Sequence, residues 1–366
     1  MTIALFYGGR SCEHDVSIIT GIQVGSEIVG HEVVPVYVER TGILNTVKDF
    51  RDISVYKEEN KRKRKQVYLK AGEPYLYKGF RRWKKIDCAI ICCHGNGGED
   101  GCLQGALRLC GIPFTGSDVL SSAVGMDKIA SKIIFKNAGL NVVDYMLVSR
   151  FEYENDLKGV LIRAKELGSE LIVKPNSLGS SIGVSKVTNG RELIVALNLA
   201  FEWDNSVVVE KAVNNLVEFN CAVLGDSETQ VVSKPEKPLA LSDILTYADK
   251  YERGGFKGKS AHEFPAKIPE KLSKQIQTMA RTAFSAIGAS GVARVDFLYD
   301  GETLFVNEIN TIPGSLALYL FPDYEFAGKK GKSAVVERLV SIAKRNHQAR
   351  ERLRFKYTAP TDYSKE

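Results

Sequence analysis

Residues 293–314, Ala-Arg-Val-Asp-Phe-Leu-Tyr-Asp-Gly-Glu-Thr-Leu-Phe-Val-Asn-Glu-Ile-Asn-Thr-Ile-Pro-Gly, constrain this chain more than any other stretch. Two apolar-alternating strands flank a turn near Asp300-Gly301. Side chains two apart on a strand share a face, so Arg294 and Asp296 face one way on the outgoing strand, and Glu308 and Asn310 share a face of the return strand. The loop decides whether those faces coincide. A two-residue Asp300-Gly301 turn would oppose Tyr299 to Glu302 and separate Asp296 from Glu308, whereas a three-residue loop with a left-handed Gly301 unites all four. The three-residue loop is the expectation. Two carboxylates, an amide oxygen and an arginine on one surface suit hard Mg²⁺ ions bridging substrate phosphates, with Arg294 facing developing negative charge. The plainer alternative is a solvated polar face.

At 366 residues the chain exceeds the usual single-core limit, so two or three domains are expected. Lys+Arg of 50 against Asp+Glu of 44 gives a net charge of +6, which favours anionic small molecules without demanding nucleic acid. Much of that excess is local: Lys61-Arg62-Lys63-Arg64-Lys65 and Arg81-Arg82-Trp83-Lys84-Lys85 bracket an expected hairpin at 66–77. No stacking-aromatic motif accompanies these runs, so they read as a solvated basic rim ahead of an RNA or membrane patch. The first strand, 3–7, follows no charged leader with an apolar run and cleavage site, and no apolar stretch is long enough to span a bilayer. Seven cysteines without CxxC spacing suit reduced thiols, and a cytoplasmic location is expected. Cys92, Cys93, His94 and Cys102 could be imagined as zinc ligands, but buried thiols in an apolar strand at 86–93 are the better reading.

Strands at 2–7, 32–38 and 87–93 alternating with helices at 15–29 and 101–110 predict parallel βαβ winding, an α/β domain over 1–121. A helix at 126–138, strands at 144–148, 171–175 and 207–210, and helices at 155–167 and 190–200 predict a small α+β unit over 122–212. A third unit, 213–346, holds a strand at 217–224, a polar loop at 242–260, a helix at 269–287 and the hairpin; the charged tail, 347–366, is expected to fray.

Between Lys174 and Gly183 the chain reads Lys-Pro-Asn-Ser-Leu-Gly-Ser-Ser-Ile-Gly after an apolar strand. Glycines and hydroxyls here, Ser181 among them, let backbone N–H groups approach phosphate oxygens, and the strand-end Lys174 can reach a phosphate as a point charge. This is not a Walker A loop: GxxxxGK followed by Ser or Thr is missing, and a strand, not a helix, follows the glycines. A glycine-rich hairpin without a ligand is the alternative. Glu210, at the end of a second apolar strand, could accept from an adenine amino group and Glu218 could hold ribose hydroxyls, unless both are simply exposed glutamates.

With these pieces in place the chain resembles the D-alanine-D-alanine ligases of the ATP-grasp superfamily over about residues 3–345. The resemblance is carried, in order, by Gly8-Gly9-Arg10-Ser11-Cys12-Glu13-His14-Asp15-Val16-Ser17, by His94-Gly95-Asn96-Gly97-Gly98-Glu99-Asp100-Gly101-Cys102-Leu103-Gln104-Gly105 and by Phe114-Thr115-Gly116-Ser117 with Met126-Asp127-Lys128. The 174–183 loop, Lys250-Tyr251, Pro265-Ala266, Arg294-Val295-Asp296 and Glu308-Ile309-Asn310-Thr311-Ile312-Pro313-Gly314 complete it.

The resemblance implies a three-domain ATP-grasp fold with a parallel-sheet N-terminal domain, ATP gripped between the second and third units, and dipeptide formation through an acylphosphate for peptidoglycan precursors. It implies that Asp296, Glu308 and Asn310 hold two Mg²⁺ (or Mn²⁺) ions, and that Lys128, Lys174 and Lys250 neutralise phosphates. Lys250 would lie nearest the γ-phosphate, on a loop that Gly254, Gly255 and Gly258 could hinge. Glu13 would bind the first D-alanine's ammonium and His94 its carboxylate side. Glu13, Ser180 and Tyr251 match a hydrogen-bonded trio, and Arg294 with the Gly314 N–H would stabilise the tetrahedral oxyanion. A homodimer is usual in the family.

Two departures are visible, the smaller being a Glu210-to-Glu218 spacing one residue longer than in many members, read as a loop adjustment. Tyr319 stands where a serine that receives the second substrate is expected, although Leu320 is kept. A second substrate of D-alanine, D-serine, D-lactate or a larger residue is therefore open, with D-alanine favoured. A regulatory nucleotide-binding protein without turnover is a competing class, disfavoured because the metal set and the Glu13 trio are all present.

Overall fold

The structure is a computed structural model, and it describes residues 1–238 and 262–354. The polar loop expected at 242–260, with Lys250, Tyr251 and its glycines, lies outside the described residues, as does the tail beyond 354.

Alternation of strand and helix gives the N-terminal unit: β1 (Thr2–Gly8), α1 (His14–Ser26), β2 (Glu32–Val38), β3 (Leu44–Thr46), β4 (Lys65–Gln66), β5 (Tyr68–Lys70), β6 (Glu73–Lys78), β7 (Arg81–Lys85), β8 (Cys88–Ile91) and α2 (Cys102–Leu109). The five-stranded sheet runs β4-β3-β2-β1-β8, with β1 parallel to both β2 and β8 as the βαβ pattern predicts. β3 and β4 extend it in antiparallel fashion. The expected basic hairpin is a three-stranded antiparallel sheet, β5-β6-β7, because the second basic run is itself a strand with Trp83 in it.

The helix expected at 126–138 is α4 (Lys128–Asn137), capped by the Asp127 carboxylate, which accepts from the Ala130 N–H; a further short helix, α3 (Val119–Met126), precedes it. Next come β9 (Tyr145–Ser149), α5 (Arg150–Asn155), α6 (Leu157–Leu167), β10 (Leu171–Pro175), β11 (Ser185–Val187), α7 (Gly190–Phe201) and β12 (Ser206–Lys211). They form an antiparallel sheet, β11-β10-β12-β9, with its own core under α6 and α7.

The remaining elements are β13 (Val217–Gly225), β14 (Gln230–Val232), the short pair β15 (Lys237–Pro238) and β16 (His262–Glu263), α8 (Glu270–Ala286), β17 (Gly291–Tyr299), β18 (Leu304–Asn310), β19 (Glu325–Phe326), β20 (Lys329–Lys330) and α9 (Lys332–Glu351). The antiparallel sheet β14-β13-β17-β18 packs on α8. α9 corrects the expectation that the chain frays after Asn346. Its last turns are tied down, Asn346 donating to Ser290 Oγ at 2.8 Å and Arg350 reaching Asp118 at 3.1 Å. α9 and the turn at 314–320 share the apolar core of the N-terminal sheet, which brings the end of the hairpin against α1.

Candidate active site

The hairpin faces coincide, but not by the expected route. β17 and β18 are joined by four residues, Tyr299 pairing with Leu304, and that register alone would set Asp296 and Glu308 apart. The register then shifts: Phe297 opposes Val306 while Asp296 opposes Glu308, so Asn307 is a bulge with no cross-strand partner. The extra residue restores the shared face, and Arg294 stands opposite Asn310. Asp300, not a three-residue loop, makes the turn, its Oδ1 accepting from the N–H groups of Glu302 and Thr303, with Gly301 at φ +104°.

On this face Arg294 grips Asp296 through two bonds, Nε to Oδ1 at 2.6 Å and Nη2 to Oδ2 at 2.7 Å, and the Asn310 amide donates to Asp296 Oδ2 at 3.0 Å. Burial works against the Arg294 charge, but the Asp296 carboxylate outweighs it and raises the guanidinium's pKa well above the ordinary value. Glu308 Oε2 lies 3.5 Å from Lys128 Nζ, which donates to the Leu178 carbonyl at 2.5 Å.

The bulge also reaches the neighbouring sheet. Asn307 Oδ1 accepts from Lys174 Nζ at 3.1 Å, and its backbone carbonyl accepts from Lys132 Nζ at 3.3 Å. Both lysines converge on Glu210, Lys132 at 2.9 Å and Lys174 at 2.8 Å, and all three side chains are buried. Burial alone would raise the Glu210 pKa; the two ammonium groups reverse this and bring it down to about 2.

Across the cleft, α1 presents Glu13, whose Oε1 accepts from Ser180 Oγ. Two glycines make this approach possible: a Cβ on Gly179 would lie 3.2 Å from Glu13 Oε2, and one on Gly95 2.4 Å from Ser11 Oγ. Ser180 and Ser181 both hold left-handed backbone, φ +56° and +57°, a strained geometry for residues with a Cβ. His94 is buried and fixed at both nitrogens, Nδ1 donating to the Ile312 carbonyl at 2.8 Å and Nε2 accepting from Thr20 Oγ1 at 2.8 Å. Burial lowers its pKa and keeps the ring neutral. Glu99 joins the same loops, accepting from the N–H of Ile312 at 3.0 Å and of Gly95 at 3.3 Å. Burial, and then the Glu13 charge, push its carboxyl up to about 7.

Gly314 opens a turn, Gly314–Leu320, in which Ser315, Leu316 and Ala317 are all left-handed, φ +52°, +49° and +49°. Each costs roughly 1–2 kcal/mol. Burial of Leu316 and Ala317 and the bond from the Ser315 N–H to Thr20 Oγ1 at 3.2 Å offset that cost. At its end, Tyr319 donates to Glu236 Oε2 at 3.0 Å, and Leu320 is buried.

The model of the D-ala D-ala ligase N-terminus matches residues 2–117, and that of the D-ala D-ala ligase C-terminus residues 134–341. The chain belongs to the D-alanine-D-alanine ligase family. A D-alanine--D-alanine ligase from Chlorobaculum tepidum is 36% identical over 358 residues, spanning 93% of this chain and 96% of that protein. The D-alanine-D-alanine ligase structure from Coxiella burnetii superposes with a TM-score of 0.81 at 27% identity, over 96% of each chain. A D-Ala:D-Ser ligase from Enterococcus faecalis superposes at 0.77 with 29% identity, over 93% of this chain and 99% of that one. The fold is therefore ATP-grasp, and ligases of this family use ATP and a divalent metal.

In this family frame, Glu13 and Ser180 meet, Lys128 and Glu308 meet, and Arg294, Asp296 and Asn310 form one group. Glu218 sits half-buried on β13 opposite Leu298, and Tyr251 and Lys250 lie outside the described residues. Glu210 has one ammonium group near each carboxylate oxygen, so it organises the two lysines, and each oxygen keeps a further lone pair. The metal set fits a hard cation by its oxygen donors, since Asp296 and Glu308 are cross-strand partners and Asn310 shares their face. Lys132, Glu99, Asn307 and Glu236 are the residues the sequence did not single out. Glu99 lies inside the 94–105 motif and Asn307 inside the 293–314 stretch, and Lys132 lies four residues after Lys128 and three before Phe135 on one helix face.

Proposed function

We propose that this chain joins two molecules of D-alanine at the expense of ATP, in the cytoplasm and as a homodimer, to supply a peptidoglycan precursor. The observation that carries the reading is the Glu13–Ser180 bond, which ties together residues 167 apart in sequence and joins the N-terminal unit to the 174–183 loop. A carboxylate resists attack by an amine until one oxygen carries a leaving group. The carboxylate oxygen of the first D-alanine attacks the γ-phosphorus, the bond to ADP breaks, and ADP departs. Lys128, Lys174 and Lys250 hold the phosphate oxygens, with Lys174 fixed by Glu210 and Asn307, and Glu218 and Ser181 complete the nucleotide's contacts. Asp296, Glu308 and Asn310 would hold Mg²⁺ or Mn²⁺, two ions in this proposal, and the metal would neutralise charge on the transferring phosphoryl group.

Glu13 receives the ammonium of the first D-alanine, and neutral His94 lies on its carboxylate side. The second D-alanine's amine loses a proton toward the Glu13, Ser180 and Tyr251 group and attacks the acyl carbon. A C–N bond forms, the C–O bond to phosphate breaks, and inorganic phosphate leaves. Arg294 spends Nε and Nη2 on Asp296, so Nη1 is the nitrogen aimed at the oxyanion, together with the Gly314 N–H. Incubating the purified protein with ATP, a magnesium salt and D-alanine should release ADP and phosphate in step with a dipeptide seen by mass. ADP release without dipeptide, a mixed dipeptide formed only when D-serine is added, or an ester-linked product formed only when D-lactate is added would overturn D-alanine as the second substrate.

A further inference from the structure

The positive charge of this chain is gathered in one segment. Residues 61–85 hold eleven Lys and Arg against one carboxylate, Glu73, a net +10; because the whole chain carries +6, the rest of it carries −4. Charge segregated in this way orients a molecule on an anionic surface. Of the eleven, Arg64 is buried on Glu39 and belongs to the core, and five sit in ion pairs with nearby carboxylates. The other five, Arg62, Lys65, Lys78, Arg81 and Lys85, are exposed and have no ion-pair partner among the described residues. The fold adds an apolar tip that the sequence reading of a solvated rim did not foresee. β6 and β7 turn through Gly79-Phe80, Gly79 at φ +57°, and Phe80 is wholly exposed, more so than any other large apolar side chain among the described residues. Lys78 and Arg81 stand opposite each other beside it, a like-charged cross-strand pair that disfavours the hairpin unless anions screen it.

We propose that this hairpin docks the protein reversibly on a bilayer of anionic lipid, Phe80 entering the headgroup region and the exposed lysines and arginines meeting lipid phosphates. The proposal goes beyond the ligase reading and does not depend on it. The contact is peripheral, and no helix among the described residues is long and apolar enough to cross a membrane. A bilayer is favoured over a nucleic acid because three rings of the segment are already covered by cations of the same sheet. Lys78 lies over Trp83 at 3.6 Å, Arg82 over Tyr75 at 5.0 Å and Lys70 over Tyr77 at 5.8 Å, so these rings do not form an open platform for stacked bases. It is favoured over a second copy of this chain because that contact would set two strongly positive segments against each other. The position suits it too. Lys84 bonds Glu32, the first residue of β2, so the hairpin stands at the N-terminal ends of the parallel strands, whereas Glu13 and His94 follow the C-terminal ends of β1 and β8. A bilayer held at the first end leaves the second open to substrates.

The test is co-sedimentation of the purified full-length protein with vesicles, either of phosphatidylcholine alone or of phosphatidylcholine mixed with phosphatidylglycerol. Wild type should pellet with the mixed vesicles only, and should be released as salt rises from about 0.1 to about 0.5 M. Phe80→Ser should weaken partitioning at least about tenfold, the loss of one aromatic side chain taken out of water. Lys78→Gln with Arg81→Gln should weaken it by at least about tenfold as well, through two lost charges near the surface. Phe80 packs on nothing, so the melting temperature of Phe80→Ser should match wild type and separate lost docking from lost folding. Equal pelleting with both kinds of vesicle, pelleting with neither, or binding unmoved by Phe80→Ser would overturn the proposal. Tighter retention of a single-stranded RNA than of the mixed vesicles would assign the face to nucleic acid, and a dimer that Phe80→Ser breaks would assign it to a second copy; either overturns the membrane reading.

Discussion

Two buried carboxyls of the candidate site are driven in opposite directions. Glu210, on the wall proposed to take the nucleotide, is flanked by Lys132 and Lys174 and brought down to about 2; Glu99, on the wall proposed to take the amino acids, has N–H donors and neighbouring carboxylates and is pushed up to about 7. The first wall keeps charge in a dry place, which in the proposed reaction suits phosphates. The second keeps Glu99 and His94 neutral or near neutrality, which in that proposal suits telling a substrate carboxylate from an ammonium. The two walls meet at Asn307 and Glu308, whose bulged strand touches the lysines of one sheet while its end leads through Ile312 to Glu99.

Glu210→Ala should break the comparison most severely. It leaves two ammonium groups buried without a counter-charge, a loss of about 3–5 kcal/mol read as a fall in melting temperature. In wild type the Glu210 contribution is present above pH 4.5, its ordinary value, and is lost as pH falls toward about 2.

Glu99 runs the other way. Its folded-state pKa lies above the ordinary 4.5, so its contribution is full below pH 4.5 and is lost as pH rises through about 7. The difference is about 3 kcal/mol. Glu99→Gln should flatten stability across that window, and chemical denaturation at several pH values checks it; an unchanged slope would remove Glu99 as a distinct titrating group. The smallest effect sharpens the meeting point. Asn307→Ala removes one acceptor from Lys174 and should raise KM for ATP about tenfold with little change in KM for D-alanine.

The fold was legible where one rule acted alone. Parallel strands at 2–7, 32–38 and 87–93 and the antiparallel unit around 171–210 follow from apolar runs and turn residues, and the ordered motifs foretold the Glu13–Ser180 meeting. Parity placed Arg294, Asp296, Glu308 and Asn310 on one face, yet the loop length was misread because two shifts cancel: a four-residue loop and a one-residue bulge restore the same parity. The burial of Lys132 was not legible, since burial of a charge depends on a partner that is distant in sequence, Glu210. Glu236 and the left-handed run at 315–317 gave no sign at all, because packing against α1 and the sheet edge, not local preference, sets them.

The measurement that tests the account most directly starts from D-alanine labelled with a heavy oxygen isotope in its carboxylate, turned over with unlabelled ATP. Phosphoryl transfer to the carboxylate predicts one labelled oxygen in each phosphate released, alongside dipeptide. Dipeptide formed with unlabelled phosphate would contradict an acylphosphate route.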